Sequence, residues 1–195
     1  VLALLAVIGI ARVPHLRAQV NDAVVAKYSA ELFSGPSGNQ IPYRILAPVN
    51  VVQGKQYPLV LFLHGAGERG TDNRKQLVHA AADFASPKRM EQFPAFVVFP
   101  QCPEEQRWVE SPWDLPSGSG EFDKAPSKPM KAALELVDSL VKKLPVDPAK
   151  VYVTGLSMGG QGSWYAAATK PRRFAAMLEV CGGGDPTWAA DYQGI

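Results

Sequence analysis

The chain has 195 residues, 47% hydrophobic and 19% charged, a balance that suits one globular domain with a substantial apolar core. Its formal charge of +2 gives no electrostatic case for nucleic-acid binding. The small basic clusters, Lys142-Lys143 and Lys170 with Arg172-Arg173, fall where last turns of helices are expected, and cations there complement the helix dipole.

Val1–Ala11 is an uncharged apolar run, too short to span a membrane and of the length of an export-signal core. Pro14, Arg12 and Arg17 end it, and Ala18 before Gln19 offers a cleavage point. Residues 1–18 therefore read as a signal peptide lacking its start, and 19–195 as the mature domain, secreted or periplasmic and without a stable membrane anchor. The alternative is a buried first helix.

Ala26–Phe33 and Ile41–Ala47 read as strands joined by the turn-rich Ser34-Gly-Pro-Ser-Gly-Asn39. Pro58–Leu63 is apolar without alternation, as expected of a parallel strand buried on both faces. The glycine-rich His64-Gly-Ala-Gly-Glu-Arg-Gly70 follows, then a helix predicted over Gln76–Phe84. Phe96–Phe99 is the next buried strand, and 102–128 read as irregular. Apolar spacing from Met130 to Leu144 predicts a helix entered at Pro129 and stopped by Pro145. Val151–Thr154 is a strand, Gly159–Thr169 a helix and Ala176–Val180 a further strand. Alternating strands and helices predict an α/β fold: a mostly parallel, doubly wound sheet.

Such sheets bind ligands at the carboxyl ends of their strands. Two motifs sit at such ends. Gly155-Leu-Ser-Met-Gly-Gly160, between a strand and a helix, contains G-x-S-x-G, the turn that exposes a serine nucleophile above the sheet. Ser157 is the candidate nucleophile. An oxyanion hole requires two convergent N–H donors. The candidates are Met158, directly after the serine, and Ala66 in the glycine loop. His64, Gly65 and Gly67 are expected to shape the substrate side of that loop. His64 is a second candidate for the base, although its position opening the loop suits a ring that holds the loop by hydrogen bonds. Trp108 and Trp113 either line the cleft or pin a long loop. Asp185 either orients a histidine or caps the turn before Pro186. His64, His79 and the two cysteines lack metal-ligand spacing, so neither metal nor cofactor is expected. Cys102 and Cys181 end strands that the usual order of this fold keeps roughly 14 Å apart. A disulfide needs Cα atoms within about 7 Å, so both are expected to be free and mostly buried.

Four blocks, Leu61–Asn73, Phe99-Pro-Gln-Cys-Pro103 with Trp108, Gly155–Gly160 and Cys181–Gly184, together resemble bacterial secreted α/β-hydrolases of the "predicted peptidase" or phospholipase/carboxylesterase-like group. That group is related to feruloyl esterases and polyhydroxybutyrate depolymerases, and the similarity runs from about Ala26 to Ile195. The resemblance implies the α/β-hydrolase fold, a Ser–Asp–His triad and hydrolysis of a small-molecule or polymer-linked carboxylic ester. It also implies that the triad acid and histidine follow later strands. All three histidines, His15, His64 and His79, precede Ser157. The chain is accordingly expected to stop before the last strands, and to be inactive alone. A prolyl-oligopeptidase-type peptidase and a catalytically degenerate binding protein are the alternatives.

Overall fold

The computed structural model describes residues 19–110 and 125–192. The expected signal segment and Trp113 lie outside the described residues. The strands are β1 (Ser29–Ser34), β2 (Gln40–Leu46), β3 (Tyr57–Leu63), β4 (Phe96–Pro100), β5 (Val146–Leu156) and β6 (Ala176–Val180). They form one sheet in the order β1-β2-β4-β3-β5-β6. β1 and β2 are an antiparallel hairpin that pairs antiparallel onto β4, while β4, β3, β5 and β6 run parallel. The α/β reading of the sequence is the fold observed.

The unalternating strands are explained by two apolar layers. Leu59, Leu61, Leu63 and Val98 face a core shared with helices α4 (Lys128–Lys143) and α5 (Met158–Thr169). Phe62, Val97 and Phe99 face the other way, onto Val25, Tyr28, Leu77 and Ala81. With both sheet faces covered there, every position of these strands is apolar. β6 pairs only with β5 among the described residues, and Leu178 (69%) and Val180 (49%) are exposed on it.

Several local expectations need correction. The first strand begins at Ser29, because Asn21 accepts from the Ala23 N–H and caps a helical turn, α1 (Asp22–Val25). The Tyr28 hydroxyl then donates to the Ala81 carbonyl, which ties this turn to a segment packed on the same face of the sheet. The helix expected over Gln76–Phe84 is broken. A 3-10 turn at Lys75–Leu77 gives way to α2 (Ala81–Phe84), with Ala80 in the left-handed region (φ 62°) between them. A third short helix, α3 (Pro87–Gln92), starts at a proline in its first turn. Lys142 and Lys143 close α4 as expected, but Arg172 and Arg173 lie beyond α5, where Arg173 pairs with Asp138 at 2.6 Å. Both cysteines are free, and β3 and β5 lie between the strands they follow, but only Cys102 is buried. Cys181 is exposed in the bend after β6, with φ 48°. No helix of the described residues is long and apolar enough to cross a membrane.

Candidate active site

β5 delivers the chain to a sharp turn at Ser157, whose φ of 53° and ψ of −116° are rarely adopted by residues with a side chain. Such strain persists only where the surroundings impose it. Here the Ser157 N–H donates to the Val180 carbonyl at 2.8 Å, and the Ser157 carbonyl accepts the Gln161 N–H at 3.1 Å to open α5. The serine is exposed, whereas Met158, Gly159 and Gly160 behind it are buried. The turn is passable only because α5 crosses β3 at backbone contact: a Cβ on Gly159 would overlap the Leu63 carbonyl. Met158 is the first residue of α5, so its N–H has no intrahelical acceptor and lies at the positive end of the helix.

The second element is the loop leaving β3. His64 is buried, and Gly65 packs against Leu156, the residue before the serine. Ala66–Glu68 form one 3-10 turn, which leaves the Ala66 N–H at its start. The Arg69 Nε donates to the Ala66 carbonyl at 2.9 Å. Gly67 has open space at its Cα and borders a cavity of about 530 Å³ that also touches Glu68, Asp72 and His79. The glycine loop and the serine turn thus meet at one sheet end, as their positions after β3 and β5 imply.

The other sequence candidates take definite places. Trp108 is fully buried, and its indole N–H donates to the His64 carbonyl at 3.0 Å, so it pins the loop from beneath. The His64 ring is engaged on both nitrogens, Nδ1 with the Gly65 carbonyl at 2.6 Å and Nε2 with the Cys102 N–H at 2.9 Å. Burial pushes its pKa down to about 4. Asp185 is buried, and its Oδ1 accepts from both the N–H (2.9 Å) and the hydroxyl (2.6 Å) of Thr187, which is the geometry of a turn cap. His79 is half-exposed and lies 3.6 Å from Glu68. A separate apolar cavity of about 470 Å³ lies at the amino ends of β3 and β5, against Tyr57, Pro58 and Lys150. That is the opposite end of these strands from Ser157.

Sequence reading missed the frame that holds the loop. Gln101 is fully buried. Its amide nitrogen donates to the Glu68 carbonyl (3.1 Å) and the Asp72 carboxylate (2.7 Å), and its amide oxygen accepts the Asn73 N–H (2.7 Å). Asn73, at φ 49°, donates from its side chain to the Tyr43 carbonyl at 3.1 Å. The Arg44 Nε donates to the Asn73 carbonyl at 2.6 Å. Asp72 also accepts the Arg74 and Lys75 N–H groups. Burial raises its pKa, but these bonds, the one from Gln101 and the Lys75 charge outweigh it and hold the carboxyl below its usual range. The available signal was the pairing of the two blocks Leu61–Asn73 and Phe99–Pro103, which these bonds join.

The sheet order, the strained serine turn and the glycine loop define an α/β-hydrolase. The sequence matches the family described as "Putative esterase" over residues 34–189, and the chain belongs to that ester-hydrolysing family. It is 30% identical over 132 residues to poly(3-hydroxyalkanoate) depolymerase C of Paucimonas lemoignei, covering 65% of this chain and 28% of that protein. Its structure is similar to that of a thermostable esterase, with a TM-score of 0.81 and 38% identity over 89% of this chain and 46% of that one. The acetyl xylan esterase of Aspergillus awamori shares the fold, with a TM-score of 0.53 and 22% identity over 78% of this chain and 53% of that one. The chain therefore spans between 28% and 53% of the length of these proteins.

Proposed function

We propose that the protein is an exported serine esterase that cleaves carboxylic esters through an acyl-enzyme on Ser157. The observation that carries this reading is the exposed Ser157 at φ 53°, held at the mouth of α5 with the glycine loop packed against its turn. The Ser157 Oγ adds to the ester carbonyl carbon and gives up its proton to a base. Negative charge gathers on the carbonyl oxygen, where the Met158 and Ala66 N–H groups receive it. The tetrahedral adduct collapses and the alcohol oxygen leaves with that proton; water then adds to the acyl carbonyl, giving its proton to the same base, and the Ser157 Oγ leaves with that proton to release the acid. A histidine oriented by an acid supplies the base, and the buried His64 is not that histidine, since it already spends both ring nitrogens on the backbone. The esterase and depolymerase relatives support a small-molecule or polymer-linked ester over a peptide. Residues 1–18 serve as the export signal, and mature protein begins near Gln19.

The test is labelling of the full-length protein with a fluorophosphonate, followed by peptide mass spectrometry, alongside turnover of p-nitrophenyl esters. Label on Ser157, and loss of both label and turnover in Ser157→Ala, are expected. Turnover that survives Ser157→Ala overturns the reading.

A further inference from the structure

Glu68, the one carboxylate of the glycine loop, takes no part in the steps above, and its surroundings do not satisfy it. Its side chain is only 14% exposed, yet among the described residues no hydrogen bond reaches its oxygens. The facing ring of His79 has Nε2 3.6 Å from Oε1, beyond hydrogen-bond length. A carboxylate that has given up most of its water without gaining donors is costly.

Its position adds to that cost. A Cβ on Gly65 would sit 3.0 Å from Glu68 Oε2 and 3.6 Å from the Leu156 carbonyl oxygen, so the carboxylate and the residue before Ser157 flank one point. Negative charge there opposes the charge that gathers on the ester oxygen during acylation. A glutamine would keep the shape and spare the reaction that penalty.

Glu68 borders the cavity of about 530 Å³, which has room for a small polyol. Glu68 and Asp72 line it against Arg74 and Lys75, with His79 beside Glu68. The other three charges are already occupied. Asp72 accepts from Gln101 and from the Arg74 and Lys75 N–H groups, and its second oxygen lies 3.9 Å from Lys75 Nζ. Arg74 donates to the Val20 carbonyl and pairs with Asp22. Two acids against two bases select neither a cation nor an anion. What remains open is the demand of Glu68 for a neutral hydrogen-bond donor.

We infer that this cavity is a subsite for a hydroxyl-bearing part of the ester, and that Glu68 determines specificity by accepting a substrate hydroxyl. The inference rests on the serine esterase reading and deepens it. Oxyanion and hydroxyl are then held by one loop, at Ala66 and Glu68, and an ester without the hydroxyl leaves the carboxylate unpaired beside the reacting carbonyl.

Two pairs of esters test this in the full-length protein. Glycerol monoacetate and propyl acetate differ in hydroxyls on the alcohol, and ethyl glycerate and ethyl propanoate differ in hydroxyls on the acid. After correction for hydroxide-catalysed rates, kcat/KM is expected to favour the hydroxylated ester by about 10-fold or more in one pair. The pair that responds identifies the part of the ester that enters the cavity. Glu68→Met, of similar length and uncharged, is expected to bring that ratio close to unity. A ratio below about 3-fold in both pairs, or one that Glu68→Met lowers by less than about 3-fold, overturns the inference. Should Glu68→Met not fold, Gly67→Leu decides, since a Cβ there meets nothing and the longer side chain intrudes on the cavity. It is expected to lower the ratio likewise at an unchanged melting temperature, and an unchanged ratio overturns the inference. If wild type takes no fluorophosphonate at Ser157, the serine reading fails and this inference falls with it. If it labels normally and shows no preference in either pair, the inference alone fails.

Discussion

Gln101→Leu removes the side chain around which the loop from Glu68 to Asn73 is folded, at nearly constant volume. Three bonds are lost: to the Glu68 carbonyl, to the Asp72 carboxylate and from the Asn73 N–H. Asp72 retains the Arg74 and Lys75 N–H groups, so its loss is that of one charge-assisted bond. The Glu68 carbonyl and Asn73 N–H lose the amide and face an apolar side chain. At about 1–3 kcal/mol for each of the two neutral groups left unpaired and about 1.5–3 kcal/mol for the charged bond, the sum is about 3.5–9 kcal/mol. Urea unfolding of the full-length protein at neutral pH measures it. Gln101→Glu gives an internal control of the opposite pH sign. The introduced carboxylate still accepts from Asn73 but faces Asp72, so it destabilises at pH 7 and recovers as acid protonates it. A loss below about 1 kcal/mol for Gln101→Leu, or a Gln101→Glu variant whose deficit does not shrink between about pH 7 and pH 5, would refute the claim that Gln101 organises this loop.

Lowering pH should destabilise the wild type in two separate windows. The folded His64 pKa of about 4 lies below the ordinary 6.5, so the unfolded chain takes up a proton there that the folded one refuses. The stability it contributes is complete above about pH 6.5 and is lost by about pH 4, a change of about 3 kcal/mol, which urea titrations of wild type and His64→Asn should resolve as a difference in slope. Asp72 is depressed as an acid, so its contribution persists above about pH 4 and falls away below it, and Asp72→Asn should flatten that lower limb. Gly159→Ala is expected to abolish folding or fluorophosphonate labelling, because its Cβ would overlap the Leu63 carbonyl, whereas Gly67→Ala meets nothing and should leave the melting temperature unchanged while raising KM for bulky esters. Residues 19–195 alone should show little ester turnover and should self-associate through the exposed Leu178 and Val180, which sedimentation of that piece with and without Leu178→Lys would measure.

The parts of the fold legible in the sequence were those written in a local code. An apolar run such as Leu59–Leu63 has no polar position, so only a strand covered on both faces accommodates it, and both layers are there. Gly155, Ser157 and Gly159 are legible for a similar reason. Backbone contact between α5 and β3 excludes a Cβ at Gly159, so the constraint is stamped on residue type at fixed spacing. The helix expected over Gln76–Phe84 failed where the code is not local. Ala80 has no intrinsic reason to adopt φ 62°, and nothing in its neighbours announces it. The same holds for the start of β1, where the competing interactions of Tyr28 and Lys27 reach Ala81 and Ala85, more than fifty residues away in sequence.

The polar frame of the loop lies between these extremes, and it bears on how the site works. Gln101, Asn73 and Arg44 are each unremarkable as single residues, since any of them would pass as a surface side chain. What makes them one unit is that the loop after β3 turns away from the sheet too early to be hydrogen-bonded by it. Buried backbone groups still require partners. The end of β4 supplies them: Gln101 through its side chain, Cys102 through its N–H to His64 and its carbonyl to Gly70. Gln101 in turn is held in register by its own N–H on the Pro42 carbonyl of β2. The placement of the glycine loop is therefore inherited from the pairing of β2 with β4, two strands that carry none of the proposed site residues. Substitutions that shift this pairing, such as a bulkier residue opposite Pro100 at Tyr43, should lower kcat before they lower the melting temperature. A parallel fall of the two across such a series would place the loop's anchorage elsewhere.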